Sequence, residues 1–154
     1  MNSYGLIDLH CDTLAEYWKY AHTGNPDTLD DPGRVLSLSN MPKDVHWAQF
    51  YAVFIPDEER GQAAIDYFEK NRANFYRQME KFGDRVAPCR NADDMEKAWA
   101  AGKTAAFLTI ENGSALAGDL SRVHTLAEQG VRAITLTWNG ENELGSGHTT
   151  DHGM

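Results

Sequence analysis

Residues 104–111 read TAAFLTIE, an almost unbroken apolar run that ends on a carboxylate. Such a run, with β-branched and aromatic members and no breaker, predicts a strand covered on both faces. Three other stretches share its character: GLIDLH at residues 5–10, HWAQFYAVFI at 46–55 and VRAITLTWN at 131–139. Helical segments are expected between them, at residues 13–21, 58–82, 93–101 and 120–129. In the longest, Ile65, Phe68, Phe75, Met79 and Phe82 recur at three- and four-residue spacings and paint one apolar stripe. Gly83, Gly102 and Gly130 stand where the last three helices should stop. Residues 85–89 (RVAPC) read as a short extended piece, residues 24–34 as a loop rich in Asp, Pro and Gly, and the segment from residue 140 onward as loop.

Strands alternating with helices, the strands nearly continuous in apolar character, describe an α/β fold with parallel strands under a helical cover. A (β/α)8 barrel takes about 250 residues and eight such units. The four strong strands in 154 residues amount to about half of one. A small open α/β sheet is the other architecture that fits the pattern.

The bulk properties narrow the function. A net charge of −9 disfavours nucleic acid and anionic membrane surfaces as partners. The two cysteines, Cys11 and Cys89, form neither a disulfide framework nor a CxxC metal knuckle, which suits a reducing compartment. The first apolar run is short and broken by Asp8, and no run approaches the roughly 20 residues that span a bilayer. The expectation is a soluble, cytoplasmic protein.

Charge appears where apolar residues should be. In IDLHCD, residues 7–12, strict alternation puts Ile7, Leu9 and Cys11 on one face, suited to packing against helices, and Asp8, His10 and Asp12 on the other. His10 and Asp12 then point inward at the C-terminal end of a barrel strand, where barrel active sites are built. An imidazole and a carboxylate two residues apart can hold one divalent ion, with bonds of about 2.0–2.2 Å. A structural histidine bonded to an aspartate is the plainer alternative, and Asp8, earlier in the strand, suits a supporting role. Glu111 ends its strand in the same way before the turn NGS. It could join a metal site or act as a helix N-terminal acid favoured by the macrodipole. Trp138, near the end of the last strand, would line a substrate pocket or pack at the rim. His148, Asp151 and His152 lie in the terminal loop and are not assigned. Cys11, opposite His10, is not read as a nucleophile. The chain has no GxSxG, no HExxH, no phosphate-binding glycine loop and no basic stripe.

Taken together, IDLHCDTL, LTIENG and GVRAITLTWNGENELG resemble the membrane dipeptidase (renal dipeptidase-like) family of zinc metallopeptidases in residues, order and spacing. The resemblance implies a (β/α)8 barrel of which residues 1–154 are the N-terminal part, the remainder lying outside this chain. It implies a site of two zinc ions, with His10 and Asp12 on the first and Glu111 bridging both. The implied reaction is hydrolysis of a dipeptide by a metal-activated bridging water; monomer and homodimer both stay open. The second zinc in this family takes two histidines from later strands. An arginine and an aspartate there serve substrate binding and proton transfer, and none of these has a counterpart here. Trp138 stands where the family commonly has a histidine facing the substrate carbonyl. ENG replaces the frequent EGG, and KDVHWAQF replaces a glycine-rich approach to the second strand. A related binuclear hydrolase of amides, lactams or lactones would keep the same ligands. A non-catalytic binding protein would keep the strands without a complete metal site.

Overall fold

A computed structural model of the chain describes residues 4–14 and 28–150. Five strands form one sheet: β1 (Gly5–Cys11), β2 (His46–Phe54), β3 (Val86–Pro88), β4 (Thr104–Glu111) and β5 (Val131–Thr135). Every pairing between them is parallel. Three α-helices are described: α1 (Gln62–Lys81), α2 (Ala92–Ala100) and α3 (Arg122–Glu128). Among the described residues, no helix is long and apolar enough to cross a membrane. The helix expected at 13–21 lies outside the described residues beyond Leu14.

The four strands expected from sequence are consecutive neighbours, in the order β1, β2, β4, β5. The extended piece at 85–89 contributes a fifth, the three-residue β3. It does not stand between β2 and β4. It pairs with Thr104–Ala106 of β4, while β5 pairs with Leu108–Glu111 along the same edge. Hence β3 and β5 divide one edge of β4 between them.

Register assigns the faces, because parallel partners project their side chains to the same side. Tyr51 lies beside Leu108 and Val53 beside Ile110, and these residues pack with Phe68, Phe75 and Met79 of α1 in the main core. On the other face Ala48 is beside Ala105 and Phe50 beside Phe107. There α2 closes the N-terminal ends of the strands, with Ala98, Met95 and Trp99 against these residues. Towards the C-terminal ends of this second face stand Thr109 and, in register with Phe54, Glu111.

The strict alternation expected for β1 fails. Asp8 pairs with Gln49 and Cys11 with Tyr51, so three steps along β1 match two along β2. The extra residue is a β-bulge, which reverses the side-chain parity beyond it. Asp8 therefore shares the α1 face with Cys11, not the face of His10. Among the described residues no helix covers Ile7 and Leu9, which are 52% and 68% exposed. Asp8 Oδ1 accepts a hydrogen bond from the His10 backbone N–H at 3.0 Å, which fixes the bulge locally. Beyond it, Cys11 is buried in the core and its neighbours His10 and Asp12 point to the opposite face.

The α1 helix begins later than the expected residue 58, because Gly61 holds a positive φ of 54° at its N-terminus. Its buried stripe runs through Ala64, Phe68, Asn71, Phe75 and Gln78, with Met79 alongside. Ile65 sits at the edge of this stripe, half-buried. The buried amide oxygen of Gln78 finds its partner far along the chain: Oε1 accepts from the Leu29 backbone N–H at 2.9 Å. Gly102 and Gly130 end α2 and α3 in the left-handed region, at φ 71° and 107°. The last strand stops at Thr135 rather than residue 139. The carbonyls of the segment beyond it turn to other loops: Leu136 O accepts from Gly113 N–H, and Trp138 O from His148 N–H.

Candidate metal centre

The second face of the sheet brings three donors together at the C-terminal ends of its strands. His10 occupies the bulged end of β1, Asp12 follows that strand directly, and Glu111 is the last residue of β4. β2 runs between β1 and β4, so these two backbones stand about 9–10 Å apart. Ala52, next along β2 from the residue paired with Cys11, presents only a methyl group on this face. The longer His10 and Glu111 side chains meet over it. His10 Nε2 lies 3.2 Å from Asp12 Oδ1 and 3.4 Å from Glu111 Oε2, and the three donor atoms all lie within 4.8 Å of one another. Among the described residues this is the one group of three or more His, Cys, Asp or Glu side chains so arranged.

An ion bound at about 2.0–2.2 Å in tetrahedral geometry separates its ligand atoms by roughly 3.3–3.5 Å. The His10–Asp12 and His10–Glu111 spacings lie close to that edge, and one imidazole with two carboxylates is a donor set suited to a divalent cation. The same arrangement also serves a protonated imidazole between two carboxylates, so the site accepts positive charge in either form. Burial pushes the Glu111 carboxyl above the ordinary glutamate range; the His10 ring opposes that shift and the Asp12 carboxylate adds to it. A further positive charge beside these acids would therefore stabilise the ionised form of Glu111.

Glu111 does not cap a helix. That task falls to Asn112, whose Oδ1 accepts from Ser114 N–H at 3.3 Å at the start of a 3-10 turn, Gly113–Leu116. Asn112 has φ 72° and is 1% exposed. Its Nδ2 donates to Ile55 O at 2.8 Å and to Asp57 Oδ1 at 3.3 Å. Its Oδ1 also accepts from Ser114 Oγ at 2.8 Å and Asn142 Nδ2 at 2.9 Å. Asp57 Oδ2 in turn accepts from Gly140 N–H at 2.7 Å, and Arg60 donates to Ser114 Oγ and Glu141 O. Sequence reading took ENG for a simple turn and missed this network. The available signal was an asparagine, a favoured N-cap residue, two positions before a serine.

Trp138 lies beyond the end of β5. Its ring meets Phe54 edge-on, with centroids 4.7 Å apart, and Phe54 is in register with Glu111. The indole therefore stands on the flank of the acidic cluster. His148 is exposed and lies outside the cluster; Asp151 and His152 lie outside the described residues. Burial pushes the Cys11 thiol up to about 12, consistent with its exclusion as a nucleophile. An open cleft of about 440 Å³ borders His10 and Asp12 and reaches Gly33, Val35 and Leu36.

The sequence matches the membrane dipeptidase family, peptidase family M19, over residues 1–154. The chain belongs to this family. Among solved structures, the M19 metallopeptidase dipeptidase AC is 19% identical, with a TM-score of 0.77 over 92% of this chain and 45% of its own. A metallopeptidase from Rhodobacter sphaeroides, liganded with a phosphinate mimic of the dipeptide L-Ala-D-Ala, is 17% identical with a TM-score of 0.77, over 92% of this chain and 47% of its own. An amidohydrolase from Pseudomonas aeruginosa is 23% identical with a TM-score of 0.57, over 68% of this chain and 30% of its own. This family member thus spans about half the length of the dipeptidases it matches. Its parallel sheet and helices are the N-terminal portion of their (β/α)8 barrel.

Proposed function

We propose that the protein is a zinc-dependent dipeptidase in which His10 and Asp12 hold a first ion and Glu111 bridges it to a second. The observation that carries this reading is the convergence of one imidazole and two carboxylates, from two strands and across a third, within 4.8 Å. Membership of a metallopeptidase family supports it. When bound, such ions would polarise a carbonyl and lower the pKa of a coordinated water towards about 7, so that no serine or cysteine nucleophile is needed. His10 and Asp12 supply the fixed end of the site, Ala52 leaves room between the strands, and Glu111 sets its width. Trp138, packed on Phe54, stands on the substrate side. Residues 1–154 act as the N-terminal part of a single barrel in a soluble cytoplasmic protein, and the second metal's ligands come from outside this chain.

Metal analysis of the purified full-length protein, combined with dipeptide turnover, tests the proposal. About two zinc ions per protein and hydrolysis of a dipeptide are expected. A stable fold that binds no divalent ion would refute it, and would favour a binding protein that keeps the strands alone. The likeness to an amidohydrolase structure favours one second reading, a related binuclear hydrolase. Bound metal with turnover of amides, lactams or lactones but not dipeptides would select it. Sedimentation of the same preparation decides between monomer and homodimer.

A further inference from the structure

Glu111 can work only if its carboxylate arrives at a set height and direction opposite His10. It is the last residue of β4, so its direction depends on how the chain leaves the strand. The chain leaves through Asn112 at φ 72° and ψ 101°, a region that glycine enters freely and other residues enter at a cost. A glycine would make the turn more cheaply. The asparagine side chain must therefore return something that glycine cannot.

What it returns is a junction. Its amide makes hydrogen bonds to three separate loops: to Ile55 and Asp57 after β2, to Ser114 after β4 and to Asn142 after β5. Both ends of the amide are engaged, and the residue is almost fully buried. Asp57 and Arg60 close the ring by reaching Gly140 and Glu141. Glu111 is thereby gripped on both sides. Its own carbonyl accepts from Ile55 N–H at 3.0 Å, and its C-terminal neighbour is fixed to the loops on either flank. The loop that carries Trp138 is held by the same junction through Gly140 and Asn142.

We infer that Asn112 is a positioning residue for the metal site. Its side-chain hydrogen bonds go to the loops and not to the donor side chains of His10, Asp12 and Glu111. It sets the direction of the Glu111 carboxylate and the height of the Trp138 loop by tying the three loops to one buried amide. This inference rests on the metal reading above.

The test is Asn112→Gly, which keeps the backbone conformation and removes every tie. Co²⁺ is titrated into the purified protein, with its visible spectrum as readout of affinity and coordination, and thermal unfolding is recorded beside it. Loss of a group that orients metal ligands typically weakens metal binding by about 10–100-fold, and that loss is expected here together with an altered Co²⁺ spectrum. A variant that is less stable but binds Co²⁺ with unchanged affinity and spectrum would overturn the inference, because a merely structural role predicts that outcome. If Asn112→Gly does not fold, Asn142→Ala removes the tie from its half-buried side, together with the Asn142 hydrogen bonds to Leu136 O and from Leu144 N–H within the same loop. It is expected to weaken Co²⁺ binding several-fold, and unchanged binding would overturn the inference. A wild-type protein that binds no Co²⁺ or Zn²⁺ would overturn both this inference and the metal reading. Wild-type binding with unaltered variants would overturn this inference alone.

Discussion

Glu111→Gln separates a metal ligand from a structural acid, because the two roles predict opposite changes. Without metal, burial holds the Glu111 carboxyl above its ordinary range, so the ionised side chain is a strain on the folded state near neutral pH. A neutral amide of the same shape relieves it. The metal-free variant should therefore melt at or above the wild-type temperature. With metal the order reverses. Zinc at about 100 times its dissociation constant stabilises a folded protein by about 2.7 kcal/mol. For a chain of this size each kcal/mol is worth about 2–4 °C, so the wild-type melting point should rise by about 5–11 °C. Loss of an orienting group costs up to about 100-fold in affinity, and loss of a ligand at least as much. At the same zinc concentration the variant then keeps at most about 0.4 kcal/mol. Its shift should shrink to at most about 2 °C. Circular dichroism melts of both proteins, with zinc and with a chelator, measure all four values. An equal zinc-induced shift in the two proteins would refute the assignment of Glu111 as a ligand.

The pairing of Asp30 with Arg85, at 2.6 and 2.8 Å, holds the Asp30 carboxyl below its usual range. A depressed folded-state pKa gives stability that is present above the unfolded value and is lost as pH falls through the folded one. Asp30→Asn should therefore cost stability at pH 7 and cost nothing once the pH is well below about 4, which urea midpoints at the two pH values would show. Phe68, fully buried against the sheet, should cost about 3–5 kcal/mol in urea denaturation when truncated to alanine. Trp138→Ala removes one edge-on aromatic contact, worth about 0.5–1.5 kcal/mol. It should raise KM for dipeptides several-fold with only this small loss of stability, and an unchanged KM would place the indole at the rim instead.

The strands were legible because buried parallel strands announce themselves as apolar runs. The bounds of β4 agree with its sequence pattern at both ends. The chemistry was legible only in part. His10, Asp12 and Glu111 could be named from strand-end position, but the single-strand patterns left a structural histidine and a helix-capping acid open. Only the crossing of β2 brings the three together. The face assignment of β1 went astray because a bulge leaves no mark in the residue pattern, and Ile7 and Leu9 therefore looked like packing residues. The apolar stripe of α1 did not include the buried Asn71 and Gln78 for a different reason. Buried amides look like surface residues until their partners are known, and the Gln78 partner lies 49 positions away in sequence. β3 was legible as an extended piece at 85–89, though too short for periodicity to mark which edge it would join. Asn112 was missed because its role is a property of three loops at once.

The shared edge of β4 has a consequence for how such a chain can vary. β3 and α2 are attached to the N-terminal half of β4, while β5 is attached to the C-terminal half that carries Glu111. Residues 86–100 therefore form a graft at the foot of the sheet, and the chemistry stands at its head. Mutational drift in Met95, Ala98 or Trp99 reshapes the floor beneath Ala48 and Phe107 without passing through the residues that orient the donors. A scaffold divided in this way can change the depth of its interior and the reach of its reactive end separately, as two heritable parts.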